Sequence, residues 1–311
     1  MKLSTSLALM IERSDPNYLL GDGHLQVMRQ CVQAGYELLD WNACDYARPG
    51  MQPGSTRLLR DDWRIFIKEL RDQADQLGVR FNQAHGLMFN YFGQDEQTAY
   101  LHQMEERVML ACAELGVERI VYHPAVPDQC RESQDIEGCK RANQDYISRA
   151  AEQAGRLGLQ IAVENMFITR NPDGTLIWRY CSYPEDLVDL VDSIGMANVQ
   201  ICFDVGHARM MDENIRSSVA FYGRRLAALH IQDNDGASDQ HLLPFHGTVD
   251  WEGLMQALAD HDYRGDFTYE IHNALSRMPR ELRPGMLQQT VEIARWLIGR
   301  FQYYRDSRKP D

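Results

Sequence analysis

The sequence predicts an α/β protein built as a single closed (β/α)8 TIM barrel, and three observations carry that expectation. Apolar segments rich in β-branched and aromatic residues alternate with longer stretches of helical periodicity, the mark of βαβ units around a parallel sheet. Segments starting at Val79, Arg119, Leu159 and Val199 recur about every 40 residues. Six segments, FNQAH, RIVYH, IAVE, VQICFD, LAALH and FTYE, finish in His85, His123, Glu164, Asp204, His230 and Glu270. In a closed barrel every strand C-terminus opens on one mouth, so residues of units three to eight can converge on a point. In an open doubly wound sheet the outer pairs would lie too far apart.

Eight strands are expected at residues 3–9, 36–41, 79–85, 119–123, 159–164, 199–204, 226–232 and 266–270. The first is short and rich in Ser and Thr, and Glu12, Arg13 and Asp15 follow it without a small-residue cleavage motif, so it reads as a strand and not as a leader. Three helices end in Leu77-Gly78-Val79, Leu115-Gly116-Val117 and Leu157-Gly158-Leu159, where glycine can take the left-handed conformation that turns the chain into the next strand. After strand five, MFITRNPDGTLIWRYCSY precedes a helix starting near Pro184, and its Asn171-Pro172-Asp173-Gly174 turn flanked by apolar residues predicts a hairpin lid. The stretches after His85, His123 and Glu270 are also long enough to line a pocket. The barrel is expected to occupy residues 1–305, with residues 306–311 a charged, frayed tail.

A chain of 311 residues fits one such domain, whose core is ample for stability. The 45 acidic against 32 basic side chains give a net charge of −13, which repels a phosphate backbone and argues against nucleic acid as a partner. No apolar run approaches the roughly 20 residues that span a bilayer, so no membrane location is expected. Cys31, Cys44, Cys112, Cys130, Cys139, Cys181 and Cys202 form an odd set with no CxxC pair, which predicts reduced thiols and a cytoplasmic setting.

Glu164, Asp204, His230 and Glu270 supply three carboxylates and one imidazole, a donor set suited to Mn2+, Co2+, Zn2+ or Mg2+ and not to thiophilic metals. Each alone has an ordinary structural explanation, as a helix cap or a rim histidine; four at four strand ends do not. In Asp204-Val205-Gly206-His207 the glycine would let the backbone turn so that His207 joins Asp204 at the mouth. Asp239-Gln240-His241 has the i, i+2 spacing that puts two side chains on one side of extended backbone. His85 and His123 either ligate metal directly or hydrogen-bond substrate and ligand carboxylates. His24, His102, His246, His261 and His272 carry no assignment.

These residues and their surroundings, VENMF, CFDVGHARM, LHIQDNDGASDQHLLPFHGTVDW and YEIHN, resemble the xylose isomerase-like TIM barrels over nearly the whole chain. That group joins sugar phosphate isomerases and epimerases to apurinic-site nucleases of the endonuclease IV type. In the epimerase branch the resemblance implies one divalent ion, with Mn2+ favoured, on Glu164, Asp204, His230 and Glu270, the two glutamates also serving as acid and base. In the nuclease branch His85, His123, Glu164, Asp204, His207, His230, Asp239, His241 and Glu270 would hold three zinc ions. Related ketose 3-epimerases carry an arginine soon after the strand-seven histidine; here that stretch is QDNDGASDQH, with none.

The expected activity is therefore that of a metal-dependent sugar isomerase or epimerase. One glutamate takes a proton from a metal-chelated sugar, an enediolate forms, and the other glutamate returns the proton. Histidines 85 and 207 would bind hydroxyls, and Trp41, Phe89, Trp178 or Phe245 could touch the sugar, although packing roles suit all four. Three alternatives stand beside this one. The first is a lyase expelling an aglycone from 3-keto-glycosides, C-glycosides included, with a partner subunit. The second is a multi-zinc phosphoester hydrolase, and the third a non-catalytic sugar-binding subunit. The partner in each main case is a small sugar or glycoside; the sequence leaves the oligomeric state open between a homo-oligomer, since barrels of this kind often pair through their outer helices, and a heteromeric partner subunit.

Overall fold

A computed structural model describes residues 1–10, 16–276 and 278–308. Among these residues eight parallel strands form one sheet: β1 (Leu3–Ser6), β2 (Leu38–Asn42), β3 (Arg80–His85), β4 (Arg119–Tyr122), β5 (Gln160–Glu164), β6 (Val199–Asp204), β7 (Leu226–His230) and β8 (Phe267–Tyr269). Their order in the sheet is β8-β1-β2-β3-β4-β5-β6-β7. The two ends meet just past the strands, where Ile231 bridges Tyr269: Ile231 N–H donates to Thr268 O (2.9 Å) and Glu270 N–H to Ile231 O (3.0 Å). A nearly closed TIM barrel results, as expected, with helices between successive strands.

Those helices sit outside because each buries one apolar stripe against the barrel. In Trp63–Leu77 the buried positions are Trp63, Phe66, Ile67, Leu70 and Ala74, a spacing of three and four residues. Gly78 (φ 68°) and Gly116 (φ 73°) end their helices in the left-handed region, as the repeated phrase predicts. The first strand is shorter than expected. It stops at Ser6, whose Oγ accepts from Ala8 N–H (3.0 Å), and residues Leu7–Met10 coil into a 3-10 turn. After β5, Thr169–Arg170 and Leu176–Ile177 pair antiparallel. The last helix runs Arg283–Asp306, while residues 309–311 of the expected tail, and Glu12, Arg13 and Asp15 near the start, lie outside the described residues. All seven cysteines are buried free thiols, and no described helix is long and apolar enough to cross a membrane.

The barrel lumen positions the site. Val121, Ala162, Cys202 and Ala228, one from each of β4 to β7, form a small cluster separate from the main core. Strand side chains alternate faces, so the residues two positions on share that inward face one layer higher. They are His123, Glu164, Asp204 and His230. On the opposite half the lumen is polar: Ser4 of β1 and Asn82 of β3 hydrogen-bond across it (2.8 Å), and Asn82 Nδ2 reaches Thr268 Oγ1 of β8 (3.3 Å). The register of β2 against β3 skips at Asn82, a bulge that fits its extra side chain into this network.

Candidate metal centre

Glu164 is the hub of the mouth. It ends β5, is fully buried, and its two oxygens are divided between neighbours. Oε1 lies 2.9 Å from His230 Nδ1 and 3.6 Å from His207 Nδ1; Oε2 lies 3.0 Å from His123 Nε2 and 3.7 Å from His85 Nε2. Burial alone would push this carboxyl up, but the imidazoles of His230 and His123 outweigh it and hold it well below the ordinary carboxylate range. One ligand atom each from Glu164, Asp204, His230 and Glu270 lies within 4.8 Å of the other three. These four come from the ends of β5, β6, β7 and β8.

Asp204 has a double task. Its Oδ1 accepts from His207 N–H (2.7 Å), capping the short helix Val205–Met210, and Gln232 Nε2 approaches both oxygens (3.3 and 3.5 Å). The backbone at this strand end is pinned by Asn165, whose Oδ1 accepts from Asp204 N–H (2.7 Å) and whose Nδ2 donates to Asp204 O (2.9 Å). Gly206 is required here for space and not for an unusual backbone angle, because a Cβ would stand 2.3 Å from the Gln232 side chain. Burial raises Asp204, with His207 working against it. Burial likewise raises Glu270, to about 7, against the pull of His230 and His241.

Backbone carbonyls fix the histidines. Nδ1 of His85 donates to Gly86 O (3.0 Å) and Nδ1 of His207 to Asn165 O (2.8 Å), which leaves each Nε2 turned toward the mouth. His85 and His123 bring their Nε2 atoms within 3.2 Å of each other. His207 Nε2 faces Asp239 Oδ2 at 3.8 Å, and His241 Nε2 meets the same oxygen at 3.1 Å. His241 Nδ1 donates to Glu270 O (2.7 Å). Burial opposes protonation of His207 and His241, yet the carboxylates around them prevail and raise them to about 10 and about 9. The proximity of Asp239 and His241 has a different origin from the one expected: the backbone is not extended there, since His241 sits in the left-handed region (φ 48°), and the turn folds the two side chains together.

All nine sequence candidates therefore gather at one mouth. Asp204 and His230 form the fully buried floor, and the other seven line a cavity of about 320 Å³. The structure adds residues that sequence reasoning left out. His272, unassigned before, joins His241 and Glu270 in a second group of potential ligands, with its ring stacked on His241 (4.9 Å) and Nε2 3.1 Å from Ser6 Oγ. Its signal was visible: Glu270-Ile271-His272 has the same i, i+2 spacing as Asp239-Gln240-His241. Arg179, just past the two-stranded ribbon, lines the same cavity. Of the four aromatics, Trp41 is fully buried and Phe245 packs on Trp251 and Trp296, whereas Phe89 and Trp178 face a neighbouring chamber.

The donor set fits a hard divalent cation. It comprises buried, convergent carboxylates and imidazoles with no thiol among them, and backbone carbonyls hold His85, His207 and His241 from behind. Without a cation, three buried carboxylates depend on surrounding histidines for charge balance, which is the electrostatic problem a metal solves.

Comparison with known proteins bears on this architecture. A profile of the xylose isomerase-like TIM barrel family matches residues 28–297. An uncharacterised protein of Sinorhizobium fredii is 30% identical over 268 residues, covering 83% of this chain and 74% of its own. An inosose isomerase of Bacillus velezensis is 23% identical, over 58% of this chain and 64% of its own. Among solved structures, a D-tagatose 3-epimerase-like protein superposes with a TM-score of 0.72 at 20% identity, over 97% of this chain and 99% of that one. A 3-keto-D-glucoside 4-epimerase from E. coli gives 0.68 at 18% identity, over 94% and 99%.

Proposed function

The chain belongs to the xylose isomerase-like TIM barrel family, and from that premise we propose that it is a divalent-metal-dependent sugar isomerase or epimerase with Glu164 and Glu270 as its acid and base. The observation that carries the reading is the convergence of Glu164, Asp204, His230 and Glu270 within 4.8 Å from four successive strand ends. The inosose isomerase and the two epimerase structures it resembles act, by their names, on polyhydroxylated carbonyl compounds or are like proteins that do.

A divalent cation held by these four residues, with Mn2+ favoured, would supply Lewis acidity to a carbonyl and a neighbouring hydroxyl oxygen. The rest is done by the chain. Glu270, poised near neutral pH in the cation-free protein, is suited to take a proton from carbon and to give one back. Glu164, on a strand three places away around the sheet, reaches the same point from another side, so proton removal and return can occur on different faces of one carbon. His207 and His85, each with Nε2 toward the cavity, orient hydroxyls. Gln232 holds Asp204 and Asp239 together, at 2.6 Å from the latter, and so keeps the floor rigid. The ribbon Thr169–Ile177 serves as the lid, bringing Trp178 and Arg179 to the cavity edge.

The test is solvent exchange. With Mn2+ in D2O, and a panel of ketoses and inososes as substrates, the wild-type protein should introduce deuterium beside the carbonyl. Glu270→Gln should lower that exchange by at least about a hundredfold while Mn2+ still binds. Undiminished exchange in Glu270→Gln removes the assigned role, and no exchange in wild type removes the reaction class. The approach of His85 and His123 to Glu164 Oε2 also favours a second reading, a phosphoester hydrolase with several zinc ions. Metal analysis separates the two: one ion per chain supports the isomerase or epimerase, and three support the hydrolase.

A further inference from the structure

At the end of the barrel away from the metal centre lies a second cavity, of about 650 Å³. Arg119, Gln160 and Gln200 line it from the starts of β4, β5 and β6. They stand two residues before Val121, Ala162 and Cys202, so strand alternation sends them into the lumen as the layer below that dry cluster. Four residues separate Arg119 from His123, which sets this layer roughly 13 Å beneath the mouth. Leu226 of β7 lines the same space, so an apolar side chain fits there and the fold does not force a polar one.

The hydrogen-bonding groups of this layer are unspent. The Arg119 side chain is 13% exposed, yet it makes no hydrogen bond among the described residues, and its Nε is buried without a partner. Its one carboxylate neighbour within 4 Å among those residues is Glu118, whose Oε2 lies 3.6 Å from an Nη while Oε1 accepts from Arg80 (2.8 Å). Gln160 Oε1 is likewise buried with no donor. At the rim, the exposed Arg224, in the 3-10 turn Gly223–Arg225, has neither a hydrogen bond nor an ion pair from its side chain among the described residues. The two acids of the rim are already faced by other arginines, Asp262 by Arg264 (Nε to Oδ2, 3.0 Å) and Asp260 by Arg308 (3.9 Å). Buried donors and acceptors left unmade cost stability, and a purely structural plug would pair them. Arg119 and Arg224 instead offer forked N–H donors suited to an oxyanion, and Gln160 an acceptor suited to a hydroxyl.

We infer that this lower cavity binds a small hydroxylated phosphate ester, with Arg119 and Arg224 donating to its phosphate oxygens and Gln160 accepting from its hydroxyl. Binding there is independent of the reaction at the mouth. The probes are glycerol 3-phosphate, inorganic phosphate and glycerol, titrated calorimetrically into protein treated with EDTA so that no cation at the mouth captures them. The ester should bind saturably, inorganic phosphate several-fold more weakly, and glycerol not measurably. Arg119→Gln should weaken the ester at least about tenfold. Gln200→Glu, which sets a carboxylate against the phosphate, should do the same. Arg224→Gln, an exposed change that leaves packing alone, should weaken it several-fold, and Arg179→Gln, at the other end of the barrel, not at all. Circular dichroism confirms that each variant folds, and the ester should raise the thermal midpoint of the wild-type protein but not that of Arg119→Gln. No saturable binding of the ester, wild-type affinity in both Arg119→Gln and Arg224→Gln, or a loss in Arg179→Gln as large as theirs would each overturn the site. Equal affinities for the ester and inorganic phosphate would overturn the assignment of a hydroxylated ligand.

Discussion

Beneath one mouth the barrel lumen has two unlike halves. Under His123, Glu164, Asp204 and His230 lie Val121, Ala162, Cys202 and Ala228, small and apolar. Under Ser6, Asn42, His85 and Glu270 lie Ser4, Asp40, Gln83 and Thr268, all polar and buried. The dry half offers no dipoles from below, so charge on Glu164 and Asp204 can be matched only from above and beside, and the imidazoles of His123, His207 and His230 crowd there accordingly. On the polar half hydroxyls and amides hydrogen-bond one another, as Ser4 and Thr268 do with Asn82. Three of the four candidate ligands, Glu164, Asp204 and His230, thus stand over the side of the barrel least able to tolerate charge, and the fourth, Glu270, stands over the polar side.

The strongest way to break this contrast is to remove the charge on the dry side. Glu164→Gln keeps the shape but takes away the carboxylate that four imidazoles face. Its affinity for Mn2+, followed by calorimetry, should fall at least about a hundredfold, and deuterium exchange should fall with it. An unchanged affinity would move the cation away from this half.

Packing gives the next effect. Ala162→Leu inserts methylenes into a lumen layer with no room for them and should cost about 1–3 kcal/mol, seen as a loss of several degrees in thermal midpoint. Thr268→Val across the lumen leaves volume alone but strips one acceptor from Asn82 Nδ2, and should cost about 1 kcal/mol. If the two variants are equally stable, the halves do not differ in the way described.

Much of this was legible in the sequence because period-two alternation and strand-end position are local properties. Each of the six terminal residues was found, with strand limits within a few residues, since apolar runs bounded by glycine punctuate a parallel barrel clearly. What was not legible depends on contacts between distant segments. His272 and Arg179 reach the cavity from loops whose conformations the flanking residues do not dictate. The turn at His241, left-handed without a glycine, has no propensity signal. The need for Gly206 is set by Gln232, 26 positions further on and on another element. The two halves of the lumen could be counted only once the bulge at Asn82 had fixed which residues of β3 face inward.

Asp40 is the exception on the polar half and gives the finest test. It is fully buried on β2 and neither carboxyl oxygen has a hydrogen bond. Burial raises its proton affinity, with His230 and His85 only partly opposing this. The folded state therefore binds this proton more tightly than the unfolded chain does. That preference is neutral to stability below the unfolded carboxyl range near 3.8, and it becomes a growing penalty as pH rises above it. Asp40→Asn removes the ionisation and should stabilise the chelator-treated protein, by about 1–2 kcal/mol in denaturant melts at pH 8 and by less at pH 5. The opposite pH trend, or destabilisation at pH 8, would mean that the charge on Asp40 is matched from the metal side of the barrel, and the two halves would then share one electrostatic system.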